Sequence, residues 1–156
     1  MSAILIISPT GSGKSWVCEK DSFFSKNGLD GDKLIDWEFM RRPKVNWLTH
    51  DRINIDKIIQ NMRQKNKCIL WYVGTSAVRD AITEQRISVS EIAIVLIDEK
   101  KHKQQVEARK KKDHDWDRAC EHRQLCRKLI EDFSVPHFAS FSEASAWLAI
   151  RFRDDG

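Results

Sequence analysis

Four short apolar runs punctuate the chain, at residues 3–7 (AILII), 33–38 (KLIDWE), 68–73 (CILWYV) and 92–97 (IAIVLI). Runs of this length, rich in Ile and Val and closed by turn or charged residues, read as buried strands. A last short strand is expected at Pro136 to Ala139. The stretches between the runs are helix-prone and long enough to cross a sheet. Strands that alternate with helices pair in parallel, so the expected fold is α/β: a three-layer sandwich around a parallel five-stranded sheet. The 156 residues suffice for one domain with its own core. No repeat, linker or low-complexity tract divides them, so residues 1–156 are expected to be a single domain.

The helical stretches are expected as follows. WVCEKDSFFSKNG, after Lys14 and Ser15, forms one helix ending near Gly28, a C′ residue. Asp51 caps a helix through about Lys65, with Ile55, Ile58, Ile59 and Met62 on one face. A short helix covers Ala77 to Gln85. Residues 99–133 are densely charged and helix-prone, with Val106, Trp116, Ala119, Leu125, Leu129, Ile130 and Phe133 as inward positions. Ser140 and Glu143 have capping-box spacing ahead of a terminal helix.

Apolar residues make up 41% and charged residues 32%, the balance of a globular chain. The net charge of +4 permits an anionic partner without requiring one. Four cysteines occur without C-x-x-C spacing, which suits a reducing compartment better than a disulfide framework. AILII is too short for a signal sequence, and nothing approaches a membrane span of about 20 apolar residues. A cytoplasmic protein without a membrane or obligate protein partner is expected.

The first run flows into SPTGSGKS, residues 8–15. A phosphate-binding loop is written G-x-x-x-x-G-K-[ST], and Ser8 stands where its first glycine belongs. In such a loop successive backbone N–H groups surround phosphates, and the following helix adds its own. Gly11 and Gly13 allow the backbone this needs. Thr10, Gly11, Ser12, Gly13, Lys14 and Ser15 are therefore the expected nucleotide-binding residues. Lys14 would reach the β- and γ-phosphates, and the Ser15 hydroxyl would ligate Mg²⁺.

In parallel sheets ligands bind beyond the C-terminal ends of the strands. That rule selects Asp36, expected at the end of the second strand, as a catalytic or Mg²⁺-holding carboxylate. Arg41 and Arg42 follow it, and either could grip an acceptor phosphate or carboxylate. Thr75 and Arg79, after the third strand, are candidate acceptor-binding residues. Ser76 could instead cap the next helix. Beyond the fourth strand, Arg109, Arg118 or Arg123 could reach a transferring phosphoryl group, with Arg109 the first choice. Arg109-Lys110-Lys111-Lys112 could also track a nucleic-acid backbone. Trp37, Trp71 and Tyr72 are candidates for stacking on a base, with Trp71 and Tyr72 on opposite sheet faces.

These parts together resemble the small P-loop kinases: nucleoside and nucleotide kinases, shikimate- and gluconate-type kinases, and polynucleotide kinase domains. The resemblance rests on S-P-T-G-S-G-K-S, Asp36 with Arg41 and Arg42, V-G-T-S, and the arginine-bearing segment after I-V-L-I-D. It implies strand order 2-3-1-4-5 and a helical lid over about 99–128. It implies ATP and Mg²⁺ as cofactors, Asp36 as base or Mg²⁺-orienting acid, Arg41 or Arg42 at the acceptor, and Arg109 in the lid. The expected activity is transfer of the γ-phosphoryl of ATP to a hydroxyl or phosphate of a nucleotide, nucleoside or nucleic acid. The alternatives are a phage-type kinase of a hydroxymethylated base in DNA, and a nucleotide-dependent switch or ATPase module without transfer.

Overall fold

The computed structural model describes residues 4–65, 67–73, 76–109 and 115–155. Strand β1 (Leu5–Ser8) leads through the glycine-rich loop to helix α1 (Lys14–Lys20) and the single turn α2 (Phe24–Asn27). Strand β2 (Gly28–Asp30), a 3₁₀ turn (Gly31–Leu34), α3 (Trp37–Met40) and α4 (Trp47–Lys65) follow. Then come β3 (Cys68–Tyr72), α5 (Ala77–Thr83), a second 3₁₀ turn (Val89–Glu91) and β4 (Ile92–Val95). The chain closes with α6 (Glu99–Ala108), α7 (Asp115–Phe133), β5 (His137–Phe138) and α8 (Phe141–Asp155). The five strands form one all-parallel sheet in the order β2-β3-β1-β4-β5.

Side-chain alternation along the central strands builds two cores. Leu5, Ile7, Ile69 and Trp71 point to one face, where α4, α5 and α7 cover them with Ile58, Val78 and Leu129. Ile6 and Leu70 point to the other, against Val17, Phe24 and Leu148 of α1, α2 and α8. Both sheet faces are thus buried, which is why the central strands read as continuous apolar runs.

The segment between α1 and α4 departs from expectation in three places. The single helix expected to Gly28 is broken at Asp21, whose carboxylate accepts from the amides of Phe23 and Phe24 and starts α2 anew. Asp offers the backbone a competing partner and ends helices in this way. Gly28 is not a left-handed cap: its φ is −106° and it opens β2. The second strand is therefore Gly28–Asp30 and not KLIDWE. Asp30-Gly31-Asp32 is turn chemistry, and the Asp30 side chain accepts from the Asp32 amide to close the 3₁₀ turn. Leu34 packs against the core from that turn and Ile35 from just beyond it, not from a strand.

Helix α4 begins at Trp47, four residues before the expected cap. Asn46 accepts from the Thr49 amide, and Asp51 lies inside the helix, buried, accepting from the Tyr72 hydroxyl at 3.1 Å. The Ser140 cap stands as expected, with its hydroxyl accepting from Glu143 N, while Glu143 reaches back to the amide of Ala139. Among the described residues no helix is long and apolar enough to cross a membrane.

Candidate functional site

The loop between β1 and α1 owes its shape to two left-handed glycines, Gly11 at φ 78° and Gly13 at φ 94°. Gly11 is also hemmed in by α6. A Cβ placed there would lie 2.5 Å from Val106 Cγ2 and 3.4 Å from Arg109 Nη1. Ser12 Oγ donates to Pro9 O at 2.7 Å and draws the loop closed. Ser8 is the last residue of β1, fully buried and in strand conformation, so the position does not demand a glycine. Its hydroxyl is left without a hydrogen-bond partner.

The loop is held by two histidines. His102 of α6 donates from Nε2 to Thr10 O at 2.8 Å, and Thr10 N donates to His122 Nδ1 of α7 at 3.0 Å. Arg123 Nη1 donates to His102 Nδ1 at 3.1 Å and to Ile97 O at 2.7 Å. Those donors settle the ring states: each imidazole accepts at Nδ1, so each is neutral with its proton on Nε2. Burial pushes both pKa values down, and for His122, with Arg118 and Lys14 nearby, down to about 4. Nothing in the sequence links these two histidines, which are far apart in the chain; only the docking of α6 and α7 brings them to Thr10.

Two carboxylates from the β2 end face the loop. Lys14 Nζ is 3.2 Å from Asp32 Oδ2, and Ser15 Oγ donates to Asp30 Oδ2 at 2.7 Å. The second oxygen of Asp32 is buried and has no hydrogen-bond partner. Asp36, expected at this place, is displaced because the strand ends six residues earlier. It is exposed, its carboxylate accepts from Phe39 N at 3.0 Å, and it caps α3.

Two cavities flank Lys14. The first, of about 570 Å³, is lined by the loop from Thr10 to Val17, by Asp32, by Lys101 and Gln105 of α6 with Arg109 at its C-terminal cap, and by residues 139–142. Trp16 stands at its side with 65% of its surface exposed. The second, of about 390 Å³, shares Thr10, Lys14 and Asp32 and is walled by Trp37, Trp47 and Tyr72 with Asp51, Glu121 and Arg118. Trp37 is fixed by its indole N–H, which donates to Asp32 O at 2.9 Å.

The arginines divide. Arg109 lies in the first cavity and Arg118 in the second. Arg123 is buried in the histidine clamp instead. Arg41 and Arg42 are exposed and line neither cavity, Arg42 lying over the Phe39 ring. Arg79 pairs with Asp132 at 2.7 Å and covers Phe133, away from the loop. Asp98 caps α6 by accepting from Lys101 N. Thr75 and Lys110–Lys112 lie outside the described residues. Trp71 is core at 3% exposure, whereas Tyr72 faces the second cavity. The two rings nevertheless meet, with centroids 4.3 Å apart, and both pack against the same core.

No family model matches the chain, and no curated protein matches it. Fold and site together define an α/β protein whose crevice lies at the C-terminal ends of parallel strands, with a lysine, two carboxylates and two cavities around one glycine-rich loop. That is where open parallel sheets bind ligands.

Proposed function

We propose that the protein is an ATP-dependent phosphotransferase of the P-loop kinase type, acting on a hydroxyl or phosphate of a nucleotide, nucleoside or nucleic-acid acceptor. One observation carries this: the two cavities meet at Lys14 and Asp32, so a donor in one and an acceptor in the other would share a single lysine–carboxylate junction. Trp16 offers a ring to the donor's base, and the loop amides with Lys14 receive its phosphates.

The donor set suits Mg²⁺, a hard cation that takes oxygen ligands and keeps several waters. Ser15 Oγ and the Asp30 carboxylate would hold the ion or its waters. When bound with the nucleotide, Mg²⁺ neutralises charge on the β- and γ-phosphate oxygens. Lys14 then exchanges Asp32 for those phosphates, and Asp32 is released to accept the proton of an acceptor hydroxyl. Arg109 supplies charge to the transferring group from the rim of the first cavity. The histidine clamp keeps Thr10, one of the residues both cavities share, in place through the cycle. Cytoplasmic placement is part of the same proposal, and the four free cysteines agree with it.

The test is transfer of label from γ-labelled ATP across nucleosides, nucleotides, sugars, single strands and duplexes with modified bases, beside the Lys14→Ala variant. Label in an acceptor that vanishes with Lys14→Ala supports the proposal. ATP binding without label in any acceptor would leave a switch or ATPase module in its place.

A further inference from the structure

We infer, on the phosphotransfer reading above, that the second cavity takes an uncharged, planar, hydroxyl-bearing acceptor of the nucleoside type and not a phosphorylated one. The walls are aromatic. Trp37 lies 6.3 Å from both Trp47 and Tyr72, and Tyr72 is stacked on His122 at 5.6 Å. Trp47 keeps 43% of its surface exposed at the rim, an apolar area that a flat ring would cover. Aromatic side chains hold bases through their π-faces, whichever base is present.

The charge of the cavity decides against a phosphate. Among the described residues its carboxylates are Asp32, Asp51 and Glu121, and its cations are Lys14 and Arg118. Lys14 is spoken for, by Asp32 in this structure and by the donor's phosphates in the proposed reaction. His122 accepts from Thr10 N and is neutral. Among the described residues that leaves Arg118, with Glu121 beside it in the lining, a poor receptor for a dianion, which is held by several charge-assisted hydrogen bonds where it binds tightly. Arg41, Arg42 and Arg79 do not supply the missing charge, since none lines the cavity. The carboxylates suit the N–H and O–H donors of a base and sugar instead. The volume of about 390 Å³ falls at the small end of the ~300–1,000 Å³ typical of ligand sites, room for one base with its sugar.

Chemically, the acceptor oxygen attacks the γ-phosphorus of ATP and forms a new O–P bond. The bond from that phosphorus to the β,γ-bridging oxygen breaks and ADP leaves. The hydroxyl proton passes to Asp32 Oδ2, the oxygen freed when Lys14 turns to the phosphates. The same base-and-sugar unit arrives as a free nucleoside or turned out of a strand whose phosphodiesters stay outside the cavity, and the test separates the two sources.

The experiment titrates the intact protein with nucleosides, nucleoside monophosphates and oligonucleotides with or without a hydroxymethylated base, reading tryptophan fluorescence and label transfer side by side. Saturable quenching and labelling by nucleosides identify the free source. Quenching and labelling by the hydroxymethylated strand alone identify the extruded one; either result supports the inference. Trp47→Ala is expected to raise the acceptor KM about tenfold with ATP affinity unchanged, within the range of a lost stack. Trp147→Phe, far from the cavity on α8, serves as the fluorescence control. Glu121→Lys should bring in monophosphates that the parent protein refuses. Efficient labelling of a monophosphate by the parent overturns this inference and leaves the kinase proposal standing. ATP binding with no transfer to any acceptor overturns both.

Discussion

Lys14 Nζ and Asp32 Oδ2 stand 3.2 Å apart at the junction of two cavities, and the other oxygen of that carboxylate is buried without a partner. A carboxylate so placed is suited to receive a proton once the lysine turns to phosphate. Asp32→Asn is expected to lower transfer by roughly 10²–10⁴-fold, the usual worth of a general base, while ATP affinity holds or tightens because Lys14 is released. Asp36→Ala should leave transfer unchanged and cost at most about 1 kcal/mol through the lost cap on α3. Steady-state kinetics and calorimetry on the two variants check this, and the reverse pattern would restore Asp36 as the base.

Gly11 and Gly13 are both left-handed, but only Gly11 is pressed by a neighbour. An alanine at either pays a dihedral cost of about 1–2 kcal/mol. Gly11→Ala adds the collision with Val106, so it should lose more stability and more nucleotide affinity than Gly13→Ala. Val106→Ala combined with Gly11→Ala should recover part of the difference in a double-mutant cycle. Equal losses at the two glycines would mean that α6 does not rest on the loop.

The His122 clamp predicts a pH dependence. Its ring must stay neutral to accept from Thr10 N, and its pKa is lowered to about 4, first by burial and then by Arg118 and Lys14. The unfolded chain binds the proton first, near an ordinary pKa of about 6.5. The stabilisation is therefore complete above about pH 6.5 and is lost as pH falls toward 4, by up to about 3 kcal/mol. His102, shifted the same way, adds to the slope. Urea unfolding across this range should show stability falling with pH, and His122→Gln should flatten the curve. A curve unchanged by His122→Gln would remove the histidine as the cause.

Ser8 carries a buried hydroxyl with no partner. Ser8→Ala should stabilise the fold by about 1 kcal/mol, the lower end of the cost of an unsatisfied buried polar group. Thermal unfolding measures it directly, and a loss of stability would show that the hydroxyl has a partner in solution.

Arg109 is the arginine of the α6 end that faces the first cavity. Arg109→Ala is expected to reduce kcat by about 10³-fold, as for arginines that meet a transferring phosphoryl group. Arg41→Ala and Arg42→Ala should not change kcat. Arg79→Ala should cost no more than about 1 kcal/mol of stability through its exposed pair with Asp132. Single-turnover kinetics separates these outcomes.

The order of elements was legible in the sequence because both faces of the sheet are buried, which turns each central strand into an apolar run with no polar alternation. The loop was legible because its chemistry is local: two glycines for positive φ, a lysine and a serine in consecutive positions. Ser8 proved compatible with that loop once it was seen to end a strand, where glycine's freedom is not needed. The edge strand was misplaced because three residues, Gly28 to Asp30, carry too little pattern to outweigh the apolar pair Leu34 and Ile35 a turn later. That shift moved the facing carboxylates from Asp36 to Asp30 and Asp32. The histidine clamp, the pairing of Lys14 with Asp32 and the aromatic cavity exist only through contacts between residues distant in the chain. Sequence by itself determined the four strands other than β2, their alternation with helices, and the loop, whose causes lie within a few residues. Only the tertiary structure decided which carboxylate faces the lysine and which arginine faces the loop, because those depend on how α4, α6 and α7 pack over the ends of the sheet.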